Sequence, residues 1–170
     1  MTGARIGFAL DDRDYTRRVA QLGGVLKTGV VRAIGAGLVG VTQERFETET
    51  DPMGGRWEPL SPWYASIKRG GGILNASGLL NRTITFDSSG STIEIGSNRI
   101  YAGVQQAGAT IVPVSARALV FRLGVPNLRG GLVFAKSVTI PARPYLGFGP
   151  KDQREVIETL DVFIRRTLTG

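Results

Sequence analysis

Histidine and cysteine are both absent from this 170-residue chain, and the two absences remove most common routes to catalysis. Without cysteine there is no disulfide framework, no thiolate nucleophile and no thiolate metal site. Without histidine, the commonest general acid/base, the commonest metal ligand and every histidine-dependent triad are gone. Long apolar runs are missing as well. The stretch from Val25 to Val41 is interrupted by Lys27, Arg32 and several glycines and does not read as a membrane span. At the N-terminus only Ile6 to Leu10 separate Arg5 from Asp11 and Asp12, too short an apolar segment for a signal peptide. The expectation is a soluble protein made in a cytoplasm.

One further absence is local. From Ile95 to Lys151 there is no acidic residue, while Arg99, Arg117, Arg122, Arg129, Lys136, Arg143 and Lys151 all fall there. The chain's net charge of +7 therefore arises in that segment, because acids and bases nearly cancel on either side of it. A unipolar stretch suits a polyanion or the acidic surface of a protein partner. The cations are widely spaced and no aromatic stacking platform accompanies them, which favours a protein partner, or charges that merely keep a loop-rich region soluble, over sequence-specific DNA binding.

What is present reads as one α+β domain over residues 1–170, with N-terminal helices and a C-terminal helix packed on a small, mostly antiparallel sheet. Gly is frequent, at 24 residues, and implies many turns. Ile6 to Leu10 suggests a short strand. Apolar residues then recur at helical spacing across a long region, about 12–50, with a break at Gly23-Gly24. Gly35, Gly37 and Gly40 weaken the second helix or let a neighbour approach it closely. Asp51 to Leu60 is a turn-rich loop, and Ser61 caps a short helix from Pro62 to Lys68. Trp57, Trp63 and Tyr64 are expected to anchor that loop by burial.

A β-rich region is expected over about 82–147. Thr83 to Phe86 and Thr92 to Ile95 form a hairpin around Asp87-Ser-Ser-Gly90, and Ile100 to Gln106 a short helix. Thr110 to Val114, Ala118 to Leu123 and Leu132 to Ile140 read as strands. Gly124 to Gly131 is a loop expected to be ordered only beside a partner. Next, Thr139-Ile-Pro-Ala-Arg-Pro-Tyr-Leu-Gly147 contains two prolines three residues apart, which stiffen it into a non-helical rod presenting Arg143 and Tyr145. Pro141, Arg143, Pro144 and Tyr145, with Gly124 and Arg129 of the loop, are the candidate subunit or partner interface. Arg143 is expected to bond a carboxylate or backbone carbonyls. A final helix over about 150–168 carries Asp152 and Glu155 in its first turn and an apolar stripe of Val156, Ile157, Leu160, Ile164 and Leu168.

No segment carries a convincing catalytic constellation. Gly70-Gly71-Gly72 lacks the Gly-Lys-Ser/Thr ending of a phosphate loop. Glu44, Glu47, Glu49 and Asp51 lie close together but read as a solvated helix end, and Asp11, Asp12 and Asp14 as helix-start residues. No catalytic, cofactor or metal site is expected.

Several segments in order resemble one family: Phe46, Asp51-Pro52-x-Gly54-x-x-Trp57-x-Pro59-Leu60, Tyr64, Lys68, Ile73-Leu74-x-x-Ser77-Gly78-x-Leu80, Ile93-x-Ile95-Gly96-Ser97, Tyr101-Ala102, Gln106-x-Gly108 and Ile140-Pro-Ala-Arg-Pro-Tyr-Leu-Gly147. They resemble the tailed-phage virion morphogenesis proteins, the tail-completion family of Mu-like phages, from about residue 43 to the C-terminus. The resemblance implies a structural protein at the head–tail junction of the virion. There it would form a homo-oligomeric ring, expected to be a hexamer, that completes the tail and contacts neighbouring neck and tail-tube proteins. If the ring surrounds a DNA channel, Arg117, Arg122, Arg129 and Lys136 would line it without reading sequence. The alternatives are a tail terminator ring that caps tube polymerisation, a basic nucleic-acid-binding protein, and a carboxylate hydrolase. The last is disfavoured because no isolated acid pair sits in a cleft motif.

Overall fold

A computed structural model describes residues 4–9, 23–68, 70–122 and 132–169, and Asp11, Asp12 and Asp14 lie outside them. The chain begins with strand β1 (Ala4–Ala9) and a long helix α1 (Gly23–Thr48). Two short helices follow, α2 (Pro62–Ile67) and α3 (Leu79–Arg82), and then the hairpin β2 (Ile84–Ser89) and β3 (Thr92–Ser97). Helix α4 (Ala102–Ala107) leads to four short strands: β4 (Ala109–Ile111), β5 (Leu119–Arg122), β6 (Leu132–Ala135) and β7 (Val138–Ile140). The terminal helix α5 spans Pro150–Thr169. The α+β class stands as expected.

Strand order in the main sheet is β1-β3-β2, antiparallel throughout. Ile6 pairs with Ile95, and Ile95 with Phe86, so the period-2 alternation puts one apolar row on one face. That face carries Ile84, Ile93 and Ile95, and it meets Val30, Val31, Ile34 and Leu38 of α1 in the core. The hairpin is longer than its turn chemistry suggested. Ser89 pairs with Thr92, so the turn is only Gly90-Ser91, with Gly90 at φ +60°, and Asp87 becomes a strand residue opposite Glu94. The expected strand from Leu132 to Ile140 is two strands with different partners. β6 pairs with β5, whereas β7 pairs with β4 in a separate ribbon.

Helix α5 lies along α1, burying Val156 and Leu160 with Phe163 beside them. Ile157, placed by spacing on the apolar stripe, is instead exposed. The core stripe runs through Asp152, Val156, Leu160 and Phe163, and the side of α5 carrying Ile157 faces away. Close approach explains two of the helix glycines. A Cβ on Gly35 would collide with the Phe86 ring, and one on Gly37 with the end of the Glu155 side chain.

These contrasts give paired expectations, read by denaturant unfolding. A Cβ on Gly40 would meet nothing within 4 Å, so Gly40→Ala should stabilise by about 0.5–1 kcal/mol through helix propensity. Gly35→Ala should destabilise by about 1–3 kcal/mol, because a rigid ring cannot yield as a flexible side chain can.

Candidate assembly interface

The proline rod between β7 and α5 is held from several sides. Arg143 is buried and donates from Nε to the Glu58 carbonyl at 2.9 Å and from a terminal nitrogen to the Pro59 carbonyl at 3.3 Å. Trp57 Nε1 donates to the Pro144 carbonyl at 2.8 Å. The Gln106 side-chain oxygen accepts from the backbone of Tyr145 at 3.0 Å and Leu146 at 2.9 Å, while its amide donates to the Leu146 carbonyl at 2.8 Å. Tyr145 is fully buried, donates its hydroxyl to the Ala102 carbonyl at 3.2 Å and packs on Phe46. An extended segment has no ladder of its own, and these bonds satisfy backbone groups that burial would otherwise leave unpaired.

At the centre lies an ion pair that sequence reasoning missed. Arg45 of α1 bonds Asp152 of α5, with both side chains under 5 % exposed. Arg45 also donates to the carbonyls of Tyr145 at 2.8 Å and Gly147 at 3.3 Å. Asp152 in turn accepts from the Gly149 backbone at 2.8 Å, which closes the first turn of α5 in the manner of a capping box. A Cβ on Gly149 would strike the Pro52 carbonyl, and one on Gly147 would come within 2.5 Å of the Pro52 ring. The 51–60 loop, the rod, α1, α4 and α5 thus meet at one place. The sequence marks Asp152 only as a first-turn acid, and its spacing from Arg45 holds no signal.

Three of the four acids at the end of α1, Glu44, Glu49 and Asp51, also bond within the chain. Glu44 pairs with Lys151 at 2.6 Å. Glu49 accepts from the Ile73 backbone at 2.6 Å, and Asp51 accepts from Met53 and Gly55 at 2.8 Å each. Lys68 reaches the carbonyls of Gly72 and Ile73, so the glycine loop is folded onto its own chain. Burial lowers the Lys68 pKa, with Glu49 opposing that shift and Arg143 adding to it. Among the described residues, no group of three or more Asp or Glu is placed to hold a metal ion, and no helix is long and apolar enough to cross a membrane. A cleft of about 410 Å³ lies against the main sheet beside Arg5, Asp87 and Glu94. Glu94 there makes a loose contact with Arg5 at 3.5 Å, between two well-exposed side chains.

The sequence-based candidates separate accordingly. Arg143 and Tyr145 turn inward, and Pro141 and Pro144 are half-buried. The described contacts of Arg143 and Tyr145 thus lie within the chain, where the rod serves as an internal tie. Gly124 and Arg129 lie outside the described residues, as does the side chain of Arg122. Arg117 and Lys136 are exposed. They stand at the base of the β5–β6 ribbon, where Leu119 pairs with Ala135. On one face of this ribbon Val120 opposes Phe134, with 56 % and 68 % of their surface exposed, and Leu132 lies beside them. On the other, Leu119, Phe121, Val133 and Ala135 are only partly covered. A two-stranded ribbon is marginal in water by itself, and this one leaves Val120, Leu132 and Phe134 largely exposed. Trp63 and Tyr64 also remain exposed, against expectation; of the three aromatics Trp57 is the buried one, and α2 buries none of its residues.

The described residues thus form an internally bonded body with an apolar ribbon that is exposed on one face. Residues 13–164 match the phage virion morphogenesis family, and the chain belongs to that family. It is similar to the protein of Escherichia phage Mu named "Putative capsid assembly protein G", with 28 % identity over 159 residues that cover 89 % of each chain. No solved structure gives a significant match. The chain is thus a virion-associated protein with a structural role in phage assembly.

Removing one member of the central pair should be costly. Asp152→Asn or Arg45→Met should each destabilise by about 3–5 kcal/mol, and the double variant by clearly less than the sum, in a denaturant double-mutant cycle. Burial also pushes the Tyr145 hydroxyl up to about 12, with Tyr101 adding to the shift. A pKa above the unfolded value of about 10 means that stability is intact below pH 10 and is lost as pH rises from 10 towards 12. Tyr145→Phe should flatten that alkaline decline, which amounts to no more than about 2–3 kcal/mol.

Proposed function

We propose that this chain is a non-enzymatic subunit of the phage neck or tail end, forming a homo-oligomeric ring that completes the tail and joins it to the head. The observation that carries the reading is the β5–β6 ribbon, which exposes Val120, Leu132 and Phe134 on a body that is otherwise internally bonded. A ring is a closed heterologous assembly in which each subunit offers one surface and receives on another, and a ribbon of this kind is an apt donor. Membership of the virion morphogenesis family supports the setting. Neighbouring neck and tail-tube proteins would bind the two ring faces.

The basic segment has a narrower role than its charge suggests. Arg143 is buried, which withdraws it from any partner, while Lys151 shares a solvent-exposed pair with Glu44. Arg117 and Lys136 are exposed beside apolar side chains, a setting that favours an acidic protein surface over phosphate. Electron microscopy of particles made without this protein tests the reading: intact heads should accumulate beside unjoined tails of normal length. Tails of uncontrolled length would instead assign the chain as the terminator ring, and normal joined particles would overturn both.

A further inference from the structure

We propose that the β5–β6 ribbon of one copy docks on the outward stripe of α5 in the next copy. This deepens the ring reading above and rests on it. Arg154, Ile157, Glu158, Asp161, Val162 and Arg165 follow one another at steps of three and one, so they share the side of α5 opposite its buried stripe of Asp152, Val156, Leu160 and Phe163. On that side Ile157 and Val162 are 46 % and 47 % exposed, with the exposed carboxylates Glu158 and Asp161 between them.

The two surfaces match in chemistry and charge, and the ribbon fits the stripe in length. The ribbon offers Val120, Leu132 and Phe134 with Arg117 and Lys136 at its base, in a segment without a single acid. The stripe offers two branched aliphatic side chains and two acids. Arg154 and Arg165 bound it, so a basic ribbon is attracted only to its middle, which sets one register. Four residues of strand span roughly 13 Å, which fits between bounding arginines that lie about 16 Å apart along the helix. No described helix or sheet of the same chain packs closely on the ribbon. DNA would satisfy the two cations but would leave Phe134 and Val120 in water.

The absence of native cysteine makes the contact testable by a directed disulfide in assembled particles. A chain with both Phe134→Cys and Val162→Cys should form a ladder of covalent oligomers under mild oxidation. Each single variant should give none. Ribbon-to-ribbon dimers from Phe134→Cys alone, or a bond to a different virion protein, would overturn the proposal, as would the absence of any ladder. Charge provides a second test on the purified protein. Glu158→Lys with Asp161→Lys should weaken self-association by roughly tenfold or more. Arg117→Glu with Lys136→Glu should do the same, and the two pairs combined should restore it. Unchanged association in either reversed chain would overturn the contact while leaving a ring intact. Deletion particles with normally joined heads and tails would instead sink the ring reading.

Discussion

The Arg45–Asp152 ion pair is the interaction on which the rest of the structure depends. Two charges removed from water are unfavourable unless their remaining hydrogen-bonding capacity is met. Here it is met by the fold itself, since Arg45 also bonds the carbonyls of Tyr145 and Gly147 and Asp152 also holds the Gly149 amide. The pair can form only when α1, the proline rod and the start of α5 are all in place. It therefore specifies one arrangement of distant segments, which the apolar contacts of Val30, Ile34, Val156 and Leu160 would tolerate with less precision.

That internal commitment bears on function. The described residues whose stiff setting suggests a docking rod, Arg143 and Tyr145 among them, are consumed in holding the subunit together. In the ring reading proposed above, assembly contacts would fall to surfaces that the core leaves over, among them the β5–β6 ribbon and the outer side of α5. A rigid body with a thin apolar extension is a sound basis for a ring, because the body fixes the angle at which each extension leaves. Virion morphogenesis requires such repeated placement.

Much of the fold could be read from sequence wherever a local signal dominates. The Ser61 cap accepts from the Tyr64 amide as its spacing suggests, and the hairpin, α4 and α5 stand close to their expected bounds. The failures are non-local. Leu132 to Ile140 looks like one strand, and only the identities of its two partners divide it at Lys136 and Ser137. Ile157 fits a helical stripe by spacing, yet the stripe's centre is set by Asp152, which enters the core because Arg45 lies there. Arg45 itself sits in a run of charged residues near the end of α1 and gives no local sign of burial. The expected ribbon loop, with Gly124 and Arg129, lies outside the described residues.

Hydrogen–deuterium exchange on the free subunit and on the assembled particle addresses the central claim most directly. Exchange reports local opening, so a segment tied into the core and one that awaits a partner should differ sharply. The account predicts slow exchange over residues 142–149 in both states, with residues 119–122 and 132–135 exchanging rapidly in the free subunit and becoming protected in the particle. Equal protection of the ribbon in both states, or rapid exchange across the rod in the free subunit, would contradict it.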